Sequence, residues 1–283
     1  MPKIPVLDTI RAAYQFTFAH LGAIIGLIWM PMILATVIGY LVLQRFFMAM
    51  ADAFASNNLA MMGPALLGLL SFALVALLLL AMMAVPVMQL ALGSRKAGAL
   101  LHFAFGPLEW RLFRAGLGIT GFLFLVLLAA SMATAAAMGG GSPGASLGAS
   151  LLFLACTIFF VLRFGFFAPA IAVAESEPVL PRSWLLSAGN FWRLFLVLVA
   201  TLFPVRLAMV LIELGLEGPR QLEAELFTNA NSTALLAAHF HAIAQALPVK
   251  AGLVFLMAPV FLGLVLGAGA HAYRAVRGET AGV

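Results

Sequence analysis

Six long apolar blocks dominate the chain, separated by shorter stretches that hold nearly all of its charge. They cover residues 21–43, 64–92, 115–138, 148–174, 191–215 and 249–273, each at least 23 residues long. About 20 apolar residues in a helix cross the ~30 Å hydrocarbon layer of a bilayer, so each block predicts one tilted transmembrane helix. The first block is longer than the roughly 7–15 residue apolar core of a secretory signal, so it is expected to be retained as a span. Pro31, Pro86, Pro169, Pro204 and Pro259 fall inside blocks. There, neighbouring helices can satisfy the freed carbonyls, and the helix kinks instead of ending. The run from Gly139 to Gly144 predicts a tight, uncharged turn between the third and fourth spans.

Between the blocks the periodicity changes. Residues 4–19 place Leu7, Ile10, Tyr14 and Phe18 on one helical stripe and Asp8, Arg11 and Gln15 on the opposite one. Residues 97–114 carry Trp110 beside Arg111, and residues 180–190 begin near Pro181 and carry Trp184. Trp192 and Arg193 follow at the start of the fifth block. Aromatic rings flanked by arginine suit a helix lying in the headgroup layer. The pattern therefore predicts three amphipathic interfacial helices, each ahead of a two-span hairpin. The longest remaining stretch, residues 216–248, predicts an outer loop with two short surface helices, the second presenting Leu236, Phe240, Ile243 and Leu247 on one face.

Composition sharpens this picture. The chain has 283 residues, 64% of them hydrophobic and 9% charged, against about a quarter charged in a soluble domain. So few charges cannot cover a water-exposed surface, which excludes an ordinary soluble enzyme. The net charge of +5 and pI near 10.0 do not imply nucleic acid, because placement explains them. Lys3, Arg11, Arg95, Lys96, Arg111, Arg114, Arg182, Arg193, Arg274 and Arg277 fall on one side of the six blocks, and only Arg45, Arg220 and Lys250 on the other. The positive-inside rule then places both termini in the cytoplasm. The expected fold is an all-α integral membrane protein with six transmembrane helices and three interfacial helices on the cytoplasmic side. Cys156 is the single cysteine, and His239 and His241 diverge on a helix, so no disulfide, metal centre or cofactor is expected. No phosphate-binding glycine loop, nucleophile elbow, carboxylate pair or zinc-protease pattern occurs, so no catalytic residues are assigned.

Two charges resist the positive-inside explanation. Arg163 sits about midway through a block in which residues 151–173 include 14 Leu, Ile, Val or Phe. One central Arg costs ~3 kcal/mol on insertion scales, while those apolar residues contribute ~4–8 kcal/mol, so the segment still inserts. Arg206 repeats the situation in the fifth block, with Glu213 seven residues later on the same face. That spacing is ~10 Å of rise, which predicts no direct ion pair. Either the two guanidiniums line a cavity for an anionic group, or they cap carbonyls freed by Pro169 and Pro204 and fix helix packing. Gly22-xxx-Gly26 and Gly263-xxx-Gly267 match a close-packing pattern, for which contacts within the chain are expected rather than dimerisation.

The stretch from Pro181 to Phe195 holds Ser183-Trp184, Gly189-Asn190 and Trp192-Arg193. In this it resembles the membrane domain attached to some bacterial glycerophosphodiester phosphodiesterases, and related multi-pass inner-membrane proteins. The resemblance implies a six-span bacterial inner-membrane protein whose Trp and Arg helix lies at the cytoplasmic interface. It does not carry hydrolysis over, since the activity of those enzymes resides in a separate soluble barrel that this chain has no room for. Trp184 and Trp192, eight apart, are expected to share a face, Arg182 and Arg193 to meet phosphates, and Gly189-Asn190 to permit the bend into the next span.

The expected function is a noncatalytic inner-membrane protein that binds or organises anionic phospholipid, or serves as a subunit of a membrane assembly with another membrane protein or a second copy. The alternative is a transporter or lipid translocator whose polar path passes Arg163 and Arg206. The candidate contacts are Arg163, Arg206, Arg182, Trp184, Asn190, Trp192, Arg193, Trp110 and Arg111.

Overall fold

The computed structural model describes residues 2–58, 60, 62–95, 105–139, 143–217 and 233–278. These form helices α1 (Val6–Ala19), α2 (Leu21–Ala55), α3 (Met62–Ala91), α4 (Pro107–Gly139), α5 (Pro143–Phe160), α6 (Ala168–Ala174), α7 (Val179–Ser187), α8 (Phe191–Glu217) and α9 (Thr233–Arg277). A π-helical turn, Val161–Gly165, follows α5. Six segments are long and apolar enough to cross a membrane: α2, α3, α4, the α5 to α6 stretch, α8 and α9.

α2 packs between α9 and α3; α3 leads on to α4, and α4 to α5, while α8 lies against the other side of α9. α2 has 35 residues and α9 has 45, lengths of ~52 and ~67 Å at 1.5 Å per residue. Both exceed the ~30 Å hydrocarbon layer, so together they extend beyond it. This corrects the expected outer loop. Residues 218–232 lie outside the described residues, but residues 233–248 are not a separate surface helix. They continue through Pro248 into the sixth span as α9. Their partner is the far end of α2, also expected to be loop, where Phe47 and Phe54 stack on Phe240 at 6.2 and 5.6 Å. The aromatic contact gives both extensions an apolar face to bury, so both stay helical.

α1 packs on the bundle through small residues that belong to neither of the two stripes. Thr9, Ala13 and Thr17 are fully buried, whereas Leu7 and Phe18 are 81% and 61% exposed. α1 runs antiparallel along α9: Thr9 Oγ1 lies 3.1 Å from His271 Nδ1, Ala13 faces Gly267, and Thr17 faces Gly263. Small residues let two backbones approach closely in lipid, and large apolar ones are left to face the bilayer. The threonine hydroxyls are satisfied within their own helix, Thr9 donating to Pro5 O and Thr17 to Ala13 O, each at 2.7 Å. The segment expected over 97–114 also differs. Residues 96–104 lie outside the described residues, and residues 107–114 are the first turns of α4, continuous with the third span.

The fourth crossing is broken. α5 ends at Phe160, the π turn follows, and α6 begins only at Ala168 with Pro169 in its first turn. α6 is the centre of the core at this end: Phe167, Ala170, Ile171 and Ala172 are fully buried, with α3, α4, α7 and α9 around it. Pro31, Pro86, Pro204 and Pro259 lie inside continuous helices as expected, so Pro169 alone of the five marks a helix start.

Of the two Gly-xxx-Gly patterns, only the second forms a close approach at both glycines. A Cβ at Gly263 would lie 2.7 Å from Thr17 Cγ2, and one at Gly267 would lie 2.8 Å from Phe16 Cδ1 and 3.3 Å from the Ala13 backbone. A Cβ at Gly22 meets nothing. Gly263→Ala with Gly267→Ala is expected to destabilise the protein by about 1–3 kcal/mol through overpacking. Gly22→Ala should be neutral or stabilising by about 0.5 kcal/mol. Thermal unfolding in detergent checks both.

Candidate functional site

A broken helix leaves carbonyls without their usual partners, and in a bilayer each must find another. The Arg163 carbonyl, at the π turn, accepts from Ser183 Oγ at 3.0 Å and lies 3.2 Å from Ser187 Oγ. Ser187 Oγ is also 2.8 Å from Ser183 O and 3.0 Å from Trp184 O, so its one proton is shared among three acceptors. Beyond α6, Arg111 supplies the donors. Nη1 donates to Ala172 O at 3.1 Å and to Glu175 O, and Nη2 donates to Glu177 O at 2.8 Å. A guanidinium suits this role because its fork of N–H groups can reach several carbonyls at once.

Glu175 is the hub of the same end. Its Oε2 accepts from Arg182 Nε at 2.8 Å, and its Oε1 accepts from Tyr273 Oη at 2.6 Å. Arg277 Nη1 in turn donates to Tyr273 Oη at 3.0 Å. Glu177 Oε2 is a second, looser partner for Arg182 at 3.5 Å. Arg274 Nη2 donates to Ala91 O at the last residue of α3, at 2.6 Å. Asn190 accepts from Ile4 N and donates to Pro2 O, both at 3.2 Å, and Arg193 Nη1 donates to Ile4 O at 2.8 Å. These bonds pin the segment ahead of α1 and bury Ile4 completely.

Four expected lipid contacts therefore have work inside the protein. Arg111 and Arg182 hold the turn between α6 and α7, while Asn190 and Arg193 hold the N-terminal segment. Glu175, Tyr273, Ser183 and Ser187 were not singled out from the sequence. The available signal was the Glu175-Ser176-Glu177 cluster, an unusual pair of acids on the basic side of the chain.

The bend expected at Gly189-Asn190 is present, with Gly189 at φ +75°, a conformation glycine adopts at little cost. Because the chain turns there, Trp184 and Trp192 do not share a helix face. Trp184 turns inward, its ring 5.1 Å from Phe164 and 6.0 Å from Phe159. Trp192 is 71% exposed and packs edge-on against Phe191 and Phe195. Trp110 is 46% exposed, with Arg114 Cζ 5.8 Å from its ring centroid.

Arg163 is placed differently from its midway position in the sequence. Phe159, one turn before it, packs on Phe191, the first residue of α8, at 5.2 Å. Trp184 lies over the Arg163 guanidinium, with Cζ 4.0 Å from the ring centroid, and Phe159 is 5.8 Å away on the same basis. The π turn thus sits level with the joint between α7 and α8, at the arginine-rich end of the bundle. The guanidinium does not cap carbonyls freed by Pro169; the two serines bond the Arg163 carbonyl instead. Its Nε is buried with no hydrogen-bond partner among the described residues. Cation–π contact offsets part of that desolvation but supplies no acceptor.

Arg206 is paired after all. Nη1 lies 3.6 Å from Glu213 Oε1, and the Arg206 side chain is 58% exposed. Two long side chains on one face span the ~10 Å of rise for which the sequence spacing predicts no direct ion pair. Glu213 is about 33 Å of helix beyond Phe191, so Arg206 reaches away from the arginine-rich end.

Two apolar grooves flank Arg163. One, of about 600 Å³, lies between α5 and the start of α8 and is lined by Cys156, Phe159, Phe160, Phe191, Trp192 and Phe195 among others. The other, of about 460 Å³, lies between α4, α5 and α7 and is lined by Phe122, Phe160, Phe164, Leu180, Trp184 and Leu185 among others. Phe160 is the ridge between them. No group of three or more metal-ligating side chains occurs among the described residues.

Asn190→Ala or Arg193→Ala is expected to release the N-terminal segment. Limited trypsin digestion followed by intact-mass measurement should then show rapid cleavage after Lys3, where the wild-type chain resists.

Comparison with known proteins finds no match: no family model matches the chain, nor does any curated protein or solved structure. Nothing in these comparisons links the stretch from Pro181 to Phe195 to a family.

Proposed function

We propose that this is a noncatalytic bacterial inner-membrane protein that binds or organises anionic phospholipid, with both termini in the cytoplasm. The observation that carries the reading is the clustering of tryptophan and arginine at one end of a six-crossing bundle. Three of the four tryptophans stand there, two of them under a guanidinium, and the third, Trp192, largely exposed. Such an end suits a layer of negatively charged headgroups over hydrocarbon. The positive-inside count supports assigning that end to the cytoplasm. A role as a subunit of a larger membrane assembly is compatible with the same surface, whose long helices leave much apolar area open to a neighbour.

A second reading, a transporter or lipid translocator, is favoured by the broken fourth crossing beside Arg163, since discontinuous helices form the binding sites of many carriers. Exchange of anionic lipid between leaflets of reconstituted vesicles, measured against protein-free vesicles, separates the two.

Protein extracted with its surrounding lipid in polymer discs is expected to be enriched in anionic phospholipid over the bulk membrane, as read by mass spectrometry. Equal composition would overturn the lipid reading. Arg182→Ala with Arg193→Ala should leave that enrichment unchanged and lower the unfolding temperature, since both side chains serve the fold. For orientation, Ser56→Cys in a Cys156→Ser background should react with an impermeant thiol reagent on spheroplasts, while Ser94→Cys should react only after the membrane is opened.

A further inference from the structure

We infer that Arg163 and its two flanking grooves form a seat for a single anionic diacyl glycerophospholipid, the phosphate on the Arg163 guanidinium and one acyl chain in each groove. The inference rests on the reading of the protein as an anionic-lipid binder and assigns that reading to one place.

Each part of the seat matches one part of the ligand. The guanidinium is held by Trp184 at 4.0 Å and Phe159 at 5.8 Å. Stacking fixes its plane and leaves its edge, the part that carries the N–H donors, for a planar or tetrahedral anion. Nε is buried and lacks an acceptor among the described residues, so the protein leaves the charge only partly compensated, and the residue as a whole is half-buried, which leaves the outer part of the guanidinium for an anion. Arg206, the other span arginine, already has Glu213, and Arg111, Arg182, Arg193 and Arg274 already bond carbonyls or carboxylate. Charge complementarity therefore favours Arg163 for a phosphate.

The level of the site agrees with this placement. The π turn is beside the start of α8, at the arginine-rich end that the proposed orientation sets among inner-leaflet phosphates. The grooves are apolar, as hydrocarbon chains require, and meet at Phe160. At about 600 and 460 Å³, both lie in the roughly 300–1,000 Å³ range of small-molecule sites. A chain on each side of one aromatic ridge, below one cation, fits a two-chain lipid better than a fatty acid or a water-soluble phosphate.

The test uses the full chain in vesicles of phosphatidylcholine with phosphatidylglycerol, one of the two bearing a photoactivatable diazirine in its acyl chains. Crosslinks are mapped by peptide mass spectrometry. Labelled phosphatidylglycerol is expected to mark residues 155–160 and 191–195 of the first groove and 180–185 of the second well above the outward-facing Leu125, Leu152 and Leu211. Labelled phosphatidylcholine should mark all of these alike. Arg163→Gln should lower phosphatidylglycerol crosslinking in the grooves about tenfold, the factor set by one charge-assisted contact. Arg163→Lys, which keeps the charge but not the stacked fork, should fall between. If Arg163→Gln does not fold, Cys156→Trp provides the second arm: it fills the first groove and should abolish crosslinks at 155–160 and 191–195 while Arg163 stays in place. Even labelling over all lipid-facing residues, or insensitivity to Arg163→Lys and Cys156→Trp, would overturn the seat. Crosslinks from chain to chain across the first groove, marking a second copy as its occupant, would also overturn it. If anionic enrichment of the whole protein persists in that event, the seat fails and the broader lipid reading stands; if the enrichment is absent, the broader reading fails with it.

Discussion

The break in the fourth crossing sets a requirement that the rest of the arginine-rich end meets. Where a helix stops inside or beside hydrocarbon, its carbonyls lose their partners and water cannot replace them, at a cost of several kcal/mol each. Ser183 and Ser187 bond the Arg163 carbonyl. Arg111 bonds three carbonyls between Ala172 and Glu177, and Arg274 bonds the end of α3. The arginines of this end thus close the ends of its helices. With α6 satisfied in this way, its small apolar face can sit at the centre of the bundle, against α3, α4, α7 and α9.

The same logic governs α1. In water an amphipathic helix buries its large apolar residues. Here Leu7 and Phe18 face outward while Thr9, Ala13 and Thr17 pack on α9, because lipid is as apolar as leucine and only close packing distinguishes a helix neighbour from a lipid. Gly263 and Gly267 provide the room. The Asn190 and Arg193 contacts to Pro2 and Ile4 extend this docking past the start of the helix.

The charges in the span segments separate once their neighbours are known. Arg206 meets Glu213. Arg163 lies level with the joint between α7 and α8, where Trp184 covers it. Of the two, only Arg163 keeps a buried donor without an acceptor among the described residues. The Ser183-Trp184 pair serves that one residue twice, the hydroxyl on its carbonyl and the indole on its guanidinium.

The class of the protein was legible in the sequence alone. Six apolar blocks longer than a bilayer crossing, with nearly all of the charge outside them, leave no soluble alternative, and the bend at Gly189 followed from local residue chemistry. Hydropathy, however, counts apolar residues without registering a break between them. It read α5, the π turn and α6 as one uninterrupted helix and so missed the turn that sets Arg163 beside the joint of α7 and α8. Periodicity found an apolar and a polar stripe on α1 but not the small-residue face of Thr9, Ala13 and Thr17 that packs, since close approach in lipid is set by residue size rather than by hydropathy. The ion pair of Arg206 with Glu213, the hub at Glu175 and the joining of residues 233–248 to the sixth span depend on side-chain reach or on partners distant in the chain. Sequence determined which segments enter the bilayer because transfer free energy is a sum over local residues. Tertiary structure decided which polar groups are satisfied and which are left over, because hydrogen bonds and stacking depend on positions that no local sum contains.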